Sequence, residues 1–170
     1  ASLIGCGVMT GVGAVMNAAH VEPGSSVVVI GCGGVGISAI QGAKICGAAT
    51  IVAVDMVDKK LEWAKQFGAT HAVTPDDFPA LKMELTRGAG FDYAFEVVGR
   101  SSTIRAAYDA TRRGGTTVIV GVGPADDMVS FGAFELFYNE KTLRSSYYGS
   151  ANIRRDFPRI DEGYVTVLEV

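Results

Sequence analysis

The sequence predicts an α/β protein, a doubly wound parallel sheet of six strands with helices on both faces. Three observations predict it. Val27, Val28, Val29 and Ile30 are consecutive β-branched residues, the pattern of a strand buried on both faces. That strand runs into glycines at positions 31, 33 and 36, and then into small and apolar residues that read as a helix to about Gly47. Beyond it, short apolar runs alternate with helical patterns to about residue 148. Such alternation means parallel strands joined by right-handed helical crossovers.

In chain order, residues 3–19 are rich in Gly, Ala, Val and Met and read as a buried helix, its start loosened by Gly5 and Gly7. His20 through Gly24 ends it, since Pro23 and Gly24 punctuate the chain. The strand over 27–30 comes next, then the helix to Gly47 and a strand over 51–54 that stops at Asp55. Residues 58–67 place Leu61, Ala64 and Phe67 at helical spacing, with Lys59, Lys60, Glu62 and Lys65 outward and Gly68 as the C-cap. A short strand over 71–74 is closed by Pro75, and a helix follows over 78–86. A strand over 91–98 leads to a helix over 101–111 capped by Ser101 or Ser102. The remaining elements are a strand over 116–120 ending at Gly121, a helix over 131–138 and a sixth strand over 143–148. Residues 1–150 therefore make one domain with its N-terminal helix. The pattern is lost over 157–170, although 163–167 alternate like a strand.

The glycine spacing carries chemistry. Gly31 suits a tight turn, Gly33 a close backbone approach to a pyrophosphate, and Gly36 the packing of helix on strand. The helix opened by Gly34, Val35 and Gly36 points unpaired N–H groups and its dipole at the same spot, which suits an anion. A glycine triplet alone reads equally as a flexible loop. Here a second strand follows and ends in Asp55, 19 residues beyond Gly36, close to the offset of a ribose-binding carboxylate. Together these define a Rossmann-type dinucleotide-binding βαβ unit.

Bulk properties narrow the classes. With 170 residues and 48% apolar content, one compact domain can form. A net charge of −3 provides no electrostatic footprint for nucleic acid or an anionic membrane. No apolar run approaches a membrane span, and no charged-then-apolar leader precedes the first helix. The chain starts without Met, as an excised part of a longer protein would. Cys6, Cys32 and Cys46 form no CxxC pair, which points to a reduced, cytoplasmic setting.

Several motifs are specific enough to indicate a family. Leu3-Ile4-Gly5-Cys6-Gly7-Val8-Met9-Thr10-Gly11, Gly31-Cys32-Gly33-Gly34-Val35-Gly36, Val54-Asp55, Phe67-Gly68-Ala69-Thr70, Phe95-Glu96-Val97-Val98-Gly99 and Val120-Gly121-Val122 occur in that order. With them the chain resembles the coenzyme-binding domain of zinc-dependent medium-chain alcohol dehydrogenases, nearest to the glutathione- or mycothiol-dependent formaldehyde dehydrogenase branch. The resemblance implies NAD as cofactor, with catalytic zinc in the intact enzyme. It implies that Cys6 supplies one thiolate to that zinc, that Thr10 lies beside the nicotinamide, and that Val35 packs behind the ring. Asp55 and Lys60 would hold the ribose, Met56 and Val98 would sandwich the adenine, and Arg100 would lie nearby. Val122 would flank the end of the fifth strand, and backbone groups of Val120, Ser146 and Tyr148 would hold the carboxamide. It also implies a homodimer joined through residues 127–131, at the edge after the fifth strand.

Read without the resemblance, several of these residues have plainer roles. Cys6 is then a small buried hydrophobe, Thr10 a helix-interior threonine bonded back to a carbonyl, and Val35 core. The family's enzymes are about twice as long, and their catalytic domain and most zinc ligands are absent from this chain. His20 lies 14 residues beyond Cys6, about 21 Å along a helix, too far to share an ion. A stable zinc site in this chain alone is not expected. Three functions are compatible: half of an NAD-linked alcohol or aldehyde dehydrogenase, a stand-alone NAD-binding module, or a zinc-free reductase, the last disfavoured by Cys6 in its motif.

Overall fold

The computed structural model describes residues 4–161. Six strands form one parallel sheet: β1 (Ser26–Ile30), β2 (Thr50–Val54), β3 (His71–Val73), β4 (Phe91–Glu96), β5 (Thr111–Ile119) and β6 (Thr142–Ser145). They lie in the order β3-β2-β1-β4-β5-β6, and each neighbouring pair is parallel. The order reverses between β1 and β4, which opens a crevice at the C-terminal ends of those strands. Among the described residues, seven helices connect or flank them. α1 has a central turn at Met9–Gly13 between π-helical turns at Ile4–Val8 and Ala14–Ala19. α2 is Gly34–Ile45, α3 Asp58–Phe67, α4 Phe78–Thr86, α5 Ser101–Ala110, α6 Ala133–Asn139 and α7 Ile153–Asp161.

β1 is central because its side chains are apolar on both faces. Val27, Val28 and Val29 have no exposed surface. Val27 and Val29 join Ala14, Val15 and Ala18 of α1, Ala39, Ile40 and Ala43 of α2, and Ala64 of α3. Val28 and Ile30 join Phe78 of α4 and Ala107 and Ala110 of α5 on the opposite face. The strand's period of two therefore divides helices between the layers. This is the predicted doubly wound, six-stranded Rossmann-type sheet.

Several boundaries differ from the sequence expectation, each for a local reason. β4 stops at Glu96 rather than residue 98, because the Glu96 carboxylate takes the N–H groups of Val98 and Gly99 at 2.8 and 2.7 Å and turns the chain. β5 begins at Thr111, before the glycines at 114 and 115, and its register with β4 is irregular between Phe91 and Tyr93. Neither Ser101 nor Ser102 caps α5. Arg100 is the N-cap residue, and the Asp127 carboxylate accepts the Ser101 N–H at 2.8 Å. β6 ends at Ser145, and Tyr148 begins a 3₁₀ turn instead of closing a strand. Part of the tail thought patternless is helix α7, whose Phe157 packs against Val8, Met9 and Val12. The strand expected over 163–167 lies outside the described residues. Residues 127–131 form no strand, and the sheet edge beyond β5 is β6.

Candidate coenzyme cleft

The glycine loop is held by β2. Gly31 donates its N–H to the Val54 carbonyl at 2.9 Å, and Cys32 donates to Asp55 Oδ2 at 2.8 Å. A Cβ on Gly36 would collide with the Gly31 carbonyl oxygen, so only glycine lets α2 start this close to β1. Gly33 and Gly34 are exposed, and a Cβ on either would meet open space. The loop thus presents bare backbone at the N-terminus of α2, as an anion site requires.

Asp55 has a second task beside the one expected. Its Oδ1 accepts the Val57 N–H at 3.0 Å, while Oδ2 holds the glycine loop. Lys60 Nζ lies 3.7 Å from Oδ2, and the Asp55 side chain is only 9% exposed. The carboxylate therefore links loop, strand end and α3 before any ligand is considered. Carboxylate oxygens carry about four lone-pair positions in all, which leaves acceptor capacity for a ribose. Burial pushes the neighbouring Cys32 thiol up to about 12, with the Asp55 charge adding to the rise. Cys32 is consequently a protonated packing residue.

At the switch point a cleft of about 640 Å³ opens. The glycine loop and Val35 form one wall, and Cys6 and Thr10 of α1 another. Val98, Val120 and Val122 line it from the ends of β4 and β5, and Ser146 and Tyr148 from beyond β6. A Cβ on Gly11 would strike the Val35 carbonyl and Ser38. That close α1–α2 contact brings Thr10 to the glycine loop. Ser146 donates its N–H to Ile119 O at 2.9 Å and Val120 its N–H to Glu96 O at 2.8 Å. Both amides are therefore already paired within the fold.

Five expected residues do not line this cleft. Gly31 is buried in the turn behind it. Asp55, Met56 and Lys60 sit beyond the end of β2, with Met56 82% exposed, and exposed Arg100 stands at the start of α5. Sequence reasoning passed over Val97, Ile119, Gly121 and Tyr147, which line the cleft. Their signal was available, because residues just past parallel strand ends face this crevice.

Zinc does not fit the described residues alone. Among them no three His, Cys, Asp or Glu side chains cluster as a metal site, and Cys6 is exposed with a free thiol. Structural zinc takes about four ligands and catalytic zinc about three. Among the described residues, no helix is long and apolar enough to cross a membrane.

Comparison with known proteins agrees with this geometry. A family model described as zinc-binding dehydrogenase matches residues 34–162. An alcohol dehydrogenase class-3 from Cereibacter sphaeroides is 39% identical over 172 aligned positions, covering 95% of this chain and 46% of that protein. The crystal structure of benzyl alcohol dehydrogenase from Acinetobacter calcoaceticus matches at a TM-score of 0.89 and 37% identity, covering 95% of this chain and 45% of the other. Alcohol dehydrogenase from Aeropyrum pernix matches at 0.86 and 30% identity, covering 98% and 48%. The chain spans about half the length of these relatives. With its glycine loop, Asp55 and cleft arranged as a coenzyme-binding domain, the chain belongs to the zinc-binding dehydrogenase family, among the zinc-dependent medium-chain alcohol dehydrogenases.

Proposed function

We propose that this chain is the NAD(H)-binding domain, over residues 1–150, of a zinc-dependent dehydrogenase acting on a primary alcohol or a hemithioacetal. The observation that carries the reading is convergence. α1, the glycine loop and the ends of β4, β5 and β6 meet in one cleft, beside an acid at the end of β2. The exposed Gly33–Gly34 backbone would hold the pyrophosphate, and Asp55 with Lys60 the ribose hydroxyls. Met56 and Val98 would flank the adenine with Arg100 nearby, while Thr10 and Val35 would orient the nicotinamide. Bound NAD supplies the hydride acceptor, and zinc in the whole protein supplies a Lewis acid for the substrate oxygen. Cys6 would be one ligand of that zinc, with the others outside this chain. Three free cysteines suit a reducing compartment such as the cytoplasm. A second copy would cover the exposed apolar face of α6, making a homodimer.

One observation favours a second reading for the chain by itself. The described residues contain no metal cluster, so the isolated chain would bind NAD without chemistry. Trp63, the single tryptophan, lies on α3 three residues after Lys60 and packs against the core; it would report binding through energy transfer to NADH. The expected result is saturable quenching and no NADH formation from short alcohols with added zinc. Absence of saturation at millimolar NADH would refute coenzyme binding, and zinc-dependent turnover would refute inactivity of the chain alone.

A further inference from the structure

Glu96 is a buried carboxylate to which the coenzyme reading assigns nothing. It has no exposed surface, and burial of a charge requires compensation. Its Oε1 accepts three hydrogen bonds, from Val98 N–H at 2.8 Å, Gly99 N–H at 2.7 Å and the Thr103 hydroxyl at 2.7 Å. Thr103 stands in the first turn of α5, where the helix dipole favours negative charge. Among the described residues, Oε2 has no hydrogen-bond partner. The main chain of the same residue fastens the opposite wall, since its carbonyl accepts the N–H groups of Val120 and Gly121 at 2.8 and 3.0 Å. The walls then meet through backbone. Gly99 has φ +83°, and a Cβ there would strike the backbone of Val122 and Gly123.

The geometry points to Glu96 as a positioning residue for coenzyme. Its carboxylate holds the Val98–Gly99 turn and its carbonyl the end of β5, so one residue sets the separation of two cleft walls. This rests on the coenzyme-binding reading above. Three charge-assisted bonds on one oxygen are strong enough to fix a turn that is otherwise loop. A neutral amide oxygen accepts the same bonds more weakly, whereas a methyl accepts none.

The test measures ADP-ribose and NADH affinity at 10 °C, alongside thermal melts, for the chain and for Glu96→Gln, Glu96→Ala and Thr103→Val. Glu96→Ala is expected to weaken ADP-ribose by about tenfold or more, equivalent to about 1.4 kcal/mol. Glu96→Gln should restore most of that affinity, and Thr103→Val should lose about threefold. Should Glu96→Ala not fold, the ordering of parent, Glu96→Gln and Thr103→Val carries the test. Lower melting temperatures with unchanged affinity in the folded variants would overturn the inference, because they mark a purely structural carboxylate. So would equal loss in Glu96→Gln and Glu96→Ala. Failure of the parent to bind either ligand would instead overturn the coenzyme reading, and this inference with it.

Discussion

At the residue scale, Asp55 is a carboxylate that the fold fixes where the proposed ribose would lie. Its two oxygens hold Cys32 and Val57 N–H groups, so its place is fixed before a ribose arrives. A 2′-phosphate at this position would face a like charge. At 4 Å and an effective dielectric near 20, each pair of unit charges costs about 4 kcal/mol before solvent relaxation. A third of that is still about tenfold in affinity. Lys60, 3.7 Å away, offsets part of the repulsion, so NAD should be preferred over NADP strongly but not absolutely. Titrating both cofactors against the parent and Asp55→Ser at fixed salt checks this. The substitution should weaken NAD and narrow the gap, and an unchanged gap would exclude Asp55 as the selector. Cys32, one step along the same loop, gives a second expectation. With its thiol pushed up to about 12, only about one molecule in ten thousand carries the thiolate at pH 8. Alkylation of the native chain at that pH should label exposed Cys6 and spare Cys32, as peptide mapping would show. Rapid labelling of Cys32 in the folded protein would contradict its burial.

At the scale of elements, α7 is tied to α1 by a polar latch rather than by a large apolar face. Asp156 Oδ2 accepts Asn17 Nδ2 at 3.1 Å and Asn152 N–H at 2.8 Å, and Arg155 Nε lies 2.5 Å from Oδ1. The Arg155 guanidinium holds the Asp156 carboxyl below its ordinary range, with the two asparagines assisting. Because the folded value is depressed, the stabilisation is present above the unfolded carboxylate range. It fades as pH falls through that range toward the lower folded value, roughly from pH 5 downward. Arg155 is 56% exposed, so the ion pair itself contributes little. Loss of the buried acceptor is the larger effect. Asp156→Ala should destabilise the chain by about 2 kcal/mol at pH 7, by leaving two amide donors unpaired. The difference from parent should shrink at pH 3 in urea melts. A constant difference across pH would show that the carboxylate charge is irrelevant. This latch was not legible in the sequence, since Asn17 and Asp156 are 139 residues apart and Pro158 obscured the helix. By contrast, the residues 27–55 were read correctly because β-branched runs, glycine spacing and a terminal acid are all local signals. The Asp127 cap escaped because it joins residues 26 positions apart, and the Glu96 turn because a strand-ending glutamate carries no pattern that shows its side chain will take the next amides.

At the scale of the whole molecule, the β6 side of the sheet carries an exposed apolar surface among the described residues. β6 is an edge strand, and α6 before it buries none of its residues. Phe134 and Phe137 are 73% and 82% exposed, and Met128 in the preceding loop is 81% exposed. Arg105 pins this helix to α5 through Glu135, and Arg113 stacks on Tyr138 with its guanidinium carbon 4.5 Å from the ring centre. A face held in place yet left apolar is a contact surface or an aggregation hazard. A second copy related by a two-fold axis would bury the same patch from both sides. The residues 127–131, expected at the dimer edge, carry no regular secondary structure here, so any new pairing would form as the copies meet. Sedimentation of the parent should show a dimer. Phe137→Glu, which places charge on the patch without touching the cleft, should shift it to monomer. Val129→Pro should do the same if backbone pairing contributes, because it removes an N–H from that segment. NADH binding to the Phe137→Glu monomer should stay within about twofold of the parent, since Phe137 is not among the residues that line the cleft. A parent that remains monomeric at high concentration would refute the dimer.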